Sequence, residues 1–378
     1  MPLTPLTPLT ASEALANPDL CRSLLDRLEK SLDAPLRFME VCGTHTVAIF
    51  RSGLRSLLPE GITHLSGPGC PVCVTHDREI AAVLALALDG NCTIATFGDL
   101  LRVPGPGGMS LKKAKAKGAS VEVVYSPLDS LMLAQKHPER EIVFLGVGFE
   151  TTAPAVAATI QQAQRLGLKN FSVLAFHKLV PPALSVLLEP AGGEAHNADE
   201  PSGIDAFLLP GHVCTITGLA PFQFLADTYG KSGIVGGFDP ADILESLLLM
   251  VQLRKEGRPA IVNSYRRVVA DAGNPKARAI CDEVFEPADA LWRGIGLLPQ
   301  SGLAMRPAYA DYDALHKFSM TLPDVAPIKG CQCGEVLKGL LSPDKCRLFG
   351  TACTPANPVG PCMVSTEGSC SAYYKYAM

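Results

Sequence analysis

The chain has no long apolar run. Its most hydrophobic stretch, Ile80 to Leu88, is about half the length a bilayer span needs, and a buried helix accounts for it. The first ten residues, MPLTPLTPLT, lack the charged start and apolar segment of a signal peptide, so export is not expected and a cytoplasmic location is. A concentrated basic stripe is also missing. With a formal net charge of -4, the chain has no cluster of Lys and Arg to neutralise phosphates, which argues against a nucleic-acid partner. The one basic run, Lys112, Lys113, Lys115 and Lys117, reads as a solvated helix face, with a docking patch for an acidic partner as the alternative.

Nucleotide signatures are incomplete. The segment Gly146-Val-Gly148-Phe-Glu-Thr-Thr lacks the third glycine of a dinucleotide fingerprint and would put Glu150 and Thr151 in the phosphate turn. Pro104 to Ser110 is glycine-rich but lacks the Gly-Lys-Ser/Thr ending of a phosphate loop. Neither NAD nor ATP use is supported by motif.

What is present is a globular chain of 378 residues, 47% hydrophobic and 19% charged, long enough for two or three domains. From about Leu36 to Val262 short β-rich runs alternate with helical stretches, the pattern of an α/β fold with parallel sheets covered by helices. Strands are predicted at Arg37 to Val41, His64 to Ser66, Thr93 to Phe97, Val121 to Tyr125, Ile142 to Val147, Ser172 to Phe176, Ala206 to Leu209 and Gly233 to Val235. Dips in the pattern near Pro127 to Pro138 and Ala270 to Pro275 divide the chain. The expected units are an N-terminal segment and helix at 1–34 packing on the C-terminal module, α/β halves at 35–130 and 131–268 facing a central cleft, and a cysteine-rich module at 269–378.

The unusual residues follow strands. The segments CGTHT (42–46), GPGCPVC (67–73), GFETTAP (148–154) and PGHVCTITG (210–218) each come directly after one. Ligands of open α/β sheets bind outside the carboxyl ends of the strands, so these four segments are expected to converge on one crevice. Cys42 precedes a helix whose unpaired N–H groups favour thiolate, which makes it a plausible metal ligand or nucleophile; the bland reading is a small buried hydrophobe. His45 can be a second ligand, a proton carrier or a hydrogen-bonded loop residue. Cys70 and Cys73 form a Cys-x-x-Cys pair able to close a disulfide, bind a metal edge or cycle between dithiol and disulfide. Glu150 reads equally as a helix cap or a catalytic carboxylate. His212 and Cys214 gain weight only from convergence with the other loops, and His177, Asp99 and Asn263 have weaker cases. Cys21, Cys92 and Cys281 read as packing residues.

Of thirteen cysteines, six crowd into the tail: Cys331, Cys333, Cys346, Cys353, Cys362 and Cys370. In a reducing compartment such cysteines suit metal or redox work better than a disulfide framework. Taking Cys331, Cys346, Cys353 and Cys370 leaves intervals of 14, 6 and 16 residues, which can wrap four thiolates around a cubane. Four-cysteine zinc sites commonly use two short knuckles, which the tail lacks, so an iron–sulfur cluster is favoured over zinc. Cys333 can stand in for Cys331, and Cys362 is a spare or redox thiol.

Taken together, FMEVCGTHT, GPGCPVC, GFETTAP, HVCTITG, CQCGEVLKG, FGTACTP and CMVSTEGSC resemble the HypD family of hydrogenase maturation proteins, in order and through nearly the whole chain. The resemblance implies a scaffold on which iron acquires two cyanides and one carbon monoxide, forming Fe(CN)2CO for a nickel-iron hydrogenase. It implies that Cys42 ligates that iron, with a second thiolate from a small HypC-type chaperone, and that cyanide comes from a HypE-type donor. Cys70 and Cys73 would act as a dithiol/disulfide pair, fed by a [4Fe-4S] cluster on Cys331, Cys346, Cys353 and Cys370. His45, Glu150 and His212 would order the cleft, move protons or bond the cyanide nitrogens. The hydrogenase large subunit would receive the product from a monomer that forms transient complexes. Two other classes fit the residues alone: an iron–sulfur protein-disulfide reductase, and a zinc-stabilised binding module.

Overall fold

Parallel strands covered on both faces are apolar along their whole length, and every residue of Cys92–Thr96 and of Ala206–Pro210 is buried. The computed structural model describes residues 17–189 and 203–376, so the opening MPLTPLTPLT lies outside the described residues. Eleven strands run in chain order among them: β1 Leu36–Glu40, β2 Ile62–Ser66, β3 Cys92–Thr96, β4 Ser120–Val123, β5 Glu141–Gly146, β6 Phe171–Ala175, β7 Ala206–Pro210, β8 Ser232–Gly236, β9 Ile261–Asn263, β10 Phe285–Trp292 and β11 Gly296–Met305. The eight predicted strands are all present. They form two parallel sheets, one of order β2-β1-β7-β8-β9 and one of order β4-β3-β5-β6.

This pairing corrects the expected division at residue 130. The chain leaves the first sheet after β2, builds the whole second sheet from β3 to β6, and returns to place β7 beside β1. The two α/β halves are therefore real, but the first is assembled from two separate stretches of sequence. Each strand–helix unit looks alike locally, so alternation reveals the strands without revealing which sheet each one joins.

The N-terminal helix Pro18–Ser31 is capped by Asn17, whose side chain accepts from the backbone N–H groups of Asp19 and Leu20. Among the described residues its main packing partner is helix Pro240–Lys255 of the five-stranded half, rather than the C-terminal module. Its buried Leu24 and Leu28 enter the core that holds Phe38, Leu244 and Leu247, because an apolar helix stripe goes to the nearest open sheet-covering layer.

The region after residue 269 does not stand apart. Its helix Pro275–Val284 lies on helix Ala153–Arg165, and β10 and β11 form an antiparallel hairpin that no sequence signal announces. Its last helix, Ser369–Tyr376, packs on helix Gly43–Arg51, with the rings of Phe50 and Tyr373 at 4.5 Å. The tail thus reaches across to the cleft-facing loops of the first half. Among the described residues no helix is long and apolar enough to cross a membrane.

Candidate functional site

The cleft is organised around the end of β1. Glu40, fully buried there, accepts from the backbone N–H of Cys42 at 3.0 Å and from the Thr46 hydroxyl at 2.5 Å, and His64 Nε2 lies 3.8 Å from its Oε1. Burial pushes the Glu40 carboxyl up, while His64 and these donors oppose the shift. The loop after β2 is pinned to the same place: Gly67 N donates to Glu40 O and Gly43 N to Gly69 O, both at 2.8 Å. A Cβ on Gly69 would stand 2.2 Å from Cys42 N, so a side chain is excluded where the two loops cross.

Cys42 occupies the extended N-cap position of helix Gly43–Arg51 and is buried. Burial, followed by the charge of Glu367, pushes its thiol up to about 12; N–H groups of Thr44 and His45 pull the other way. The expectation that the helix terminus favours thiolate is therefore corrected. In so buried a position desolvation outweighs the helix dipole. Glu367 comes from the tail, where its Oε1 accepts from the Thr44 hydroxyl at 2.8 Å and its backbone covers Gly43.

His45 is buried, with Nε2 2.9 Å from Gly237 O, and burial lowers it to about 4, so it is neutral at ordinary pH. Its ring lies tilted against Phe238 at 4.5 Å, and exposed His212 stacks on the same phenylalanine at 4.2 Å. Phe238, just beyond β8, thus couples two of the predicted residues. In helix Gly211–Thr217, which follows β7, fully buried Cys214 feels the charges of both Glu150 and Cys42; burial first, and then these two, push its thiol up. Cys42, Cys214 and Glu150 bring three loops from both sheets together.

Glu150 Oε1 accepts from Val180 N at 2.8 Å, whereas buried Oε2 has no partner. Burial raises the carboxyl from 4.5 to about 7. Because the folded chain holds this proton more tightly than the unfolded one, the linked stability is complete below about pH 4.5 and is lost as pH rises through about 7. Glu150→Gln keeps an acceptor for Val180 and removes the charge. It is expected to raise unfolding free energy by on the order of 2 to 3 kcal/mol at about pH 8 and hardly at all at about pH 4, read by denaturant melts at both pH values.

Cys70 and Cys73 are joined in a disulfide, both are buried, and the short helix Pro71–Val74 carries them. That helix packs against the turn Pro361–Met363, which holds Cys362. Beyond the turn, Cys331, Cys333, Cys346, Cys353 and Cys370 line one small cavity with Gly360 and Met363. Cys331 Sγ donates to Cys333 Sγ at 3.1 Å, and Cys353 Sγ accepts from Val359 N at 3.3 Å. Fully buried Cys362 bonds both Cys333 and Cys370, and the donors Cys333 and Cys362 lower the Cys370 thiol. A Cβ on Gly360 would meet Cys331 Sγ at 2.4 Å and Cys333 Sγ at 2.7 Å, so this glycine opens the cavity wall to sulfur. The chemistry of that lining, five thiols among apolar side chains and the Gln332 amide with no carboxylate or imidazole, fits an iron–sulfur cluster. Among the described residues no group of three His, Cys, Asp or Glu side chains is arranged to hold a single metal ion.

The weaker candidates lie elsewhere. His177 is buried against Phe285 and Gly146 with neither ring nitrogen hydrogen-bonded, and burial lowers it to about 3. Asn263 is satisfied by Val269 O and Asp271 Oδ1. Asp99 sits in a turn whose Arg102 reaches Val364 O in the tail. Lys113 and Lys115 spend their ammonium groups on Gly108 O and Val121 O. Sequence reasoning missed Glu367 and Phe238. The first stands in STEGSC three residues before a noted cysteine, and the second lies three residues beyond the predicted strand Gly233 to Val235, close to where the other loops were sought.

Comparison with known proteins gives a consistent result. A sequence model named HypD and described as "Hydrogenase formation hypA family" matches residues 19–377. The "Hydrogenase maturation factor HypD" of Cupriavidus necator is 44% identical over 340 residues, covering 90% of this chain and 89% of that protein. The protein of the same description from Escherichia coli (strain K12) is 43% identical over 356 residues, covering 94% and 93%. A "Hydrogenase expression/formation protein HupD" from Azotobacter chroococcum is 44% identical over 341 residues, covering 90% and 89%.

Proposed function

Since the chain belongs to the HypD family of hydrogenase maturation factors, we propose that it is the scaffold on which the Fe(CN)2CO unit of a nickel-iron hydrogenase is assembled. The observation that carries this reading is the continuity of sulfur chemistry from the cleft to the tail. Cys42 crosses the Gly69 loop, that loop leads into the Cys70–Cys73 helix, and the helix packs on the Cys362 turn beside the sulfur-lined cavity.

In this account iron is cargo. Cys42 Sγ ligates it, and because the thiol is held up to about 12, bond formation expels the S–H proton. Glu150, held near 7, would be one acceptor for that proton, beside Glu367 and Glu40, whose charges reach Cys42 directly. Neutral His45 keeps its Nε2 on Gly237 and orders the loops. A second thiolate comes from a small HypC-type chaperone and cyanide from a HypE-type donor. The finished unit passes to the hydrogenase large subunit.

Cys331, Cys346, Cys353 and Cys370 would hold a [4Fe-4S] cluster, with Cys333 able to replace Cys331. When bound, that cluster supplies electrons one at a time. The Cys70–Cys73 disulfide takes two electrons and two protons to become two thiols, and the reverse step returns them. Burial of both sulfurs favours this internal role over reduction of another protein's disulfide. The first test is iron, zinc and acid-labile sulfide content of protein purified without oxygen. Close to four iron and four sulfide per chain are expected on a cubane's stoichiometry; one zinc without sulfide would refute the electron role.

A further inference from the structure

The β10–β11 turn is wedged between the two sulfur centres. Gly294 lies so close to Gly334, the residue after Cys333, that a Cβ on Gly294 would stand 2.1 Å from Gly334 Cα. The residue before it, Arg293, is buried at 6% exposure. Its backbone N–H donates to Val74 O at 2.9 Å, its Nε to Thr75 O at 3.0 Å and its Nη1 to Asp77 Oδ1 at 2.5 Å. The guanidinium therefore clasps the carboxyl end of the Cys70–Cys73 helix. Its Nη2 is buried and makes no hydrogen bond.

A buried guanidinium donor without a partner is costly unless something accepts from it in the working state. The Gly294–Gly334 contact sets Arg293 beside the segment that carries Cys331 and Cys333. Building on the cluster reading above, we propose that Arg293 is a positioning residue that locks the Cys70–Cys73 helix to the cysteine cavity and offers its free Nη2 to the sulfur shell on the Cys331 side, making bound cluster easier to reduce. A nearby cation stabilises the more negative, reduced form, and hydrogen bonds to sulfur act in the same direction. Asp77 tempers the effect as its counter-ion.

The test uses the full chain purified without oxygen. Iron and sulfide are counted first, and the cluster midpoint is then followed by electron paramagnetic resonance during a redox titration. Arg293→Gln combined with Asp77→Asn removes both charges and leaves no buried ion unpaired. It is expected to shift the reduction equilibrium about tenfold towards the oxidised form, about 59 mV for one electron. Arg293→Lys, which keeps the charge, is expected to retain most of the wild-type midpoint, and Asp77→Asn alone is expected to raise it. A loaded double variant with the wild-type midpoint would overturn the proposal and leave Arg293 a packing residue. If the double variant does not load, an unmoved midpoint in Asp77→Asn overturns it. Wild-type protein without iron and sulfide would instead refute the cluster reading itself, before any substitution is compared.

Discussion

Cys42→Ser is expected to abolish loading of the iron cargo and, with it, hydrogenase maturation in a complementation assay, a loss on the order of a hundredfold or more. The reason is chemical rather than structural. Serine nearly matches the volume of cysteine, and the backbone N–H of residue 42 keeps its bond to Glu40, so the loop retains its shape. A serine hydroxyl is much harder to deprotonate than the thiol and is a poor ligand for low-spin iron. Iron and sulfide in the tail cavity should stay at the wild-type level, because Cys42 is not among its lining residues. Unchanged maturation by Cys42→Ser would remove Cys42 from the account.

Gly69→Ala should damage the site through geometry alone. The added Cβ would stand 2.2 Å from Cys42 N, 2.4 Å from Val41 C and 2.6 Å from Cys42 Cα, all backbone atoms that cannot rotate away. Either the Gly67–Cys73 loop lifts or the Cys42 loop does, and the bond from Gly43 N to Gly69 O goes with it. A stability loss of about 3 kcal/mol or more is expected from such overpacking, together with loss of cargo iron. Gly98→Ala is the control. Its Cβ would meet only Val123 Cγ1 at 3.9 Å, so a change within about 0.5 kcal/mol is expected in the same denaturant melts.

Sequence carried the strands and the positions of the reactive loops, since β-rich runs end at Glu40, Ser66, Gly146 and Pro210 and the unusual residues follow at once. It did not carry sheet membership. That depends on β7 pairing with β1 across the whole second sheet, a long-range contact that leaves no local mark. Nor did it carry the hairpin that delivers Arg293, whose strands include two prolines and lack a clean alternation of burial. Chemical identity of the cleft residues was legible, but their protonation was not: a helix N-terminus is visible in CGTHT, whereas the burial that overrides it at Cys42 exists only after Glu367 and the tail close over the loop. Phe238 shows the same limit, because a phenylalanine after a strand gains meaning only when two histidine rings meet it.

The most direct test of the scaffold reading is an infrared spectrum of the protein isolated without oxygen together with its small HypC-type partner. Iron-bound cyanide and carbon monoxide absorb where protein does not. Two cyanide bands and one carbon monoxide band are predicted, absent from the Cys42→Ser variant. A wild-type complex that carries iron and sulfide in the tail but shows none of these bands would contradict it.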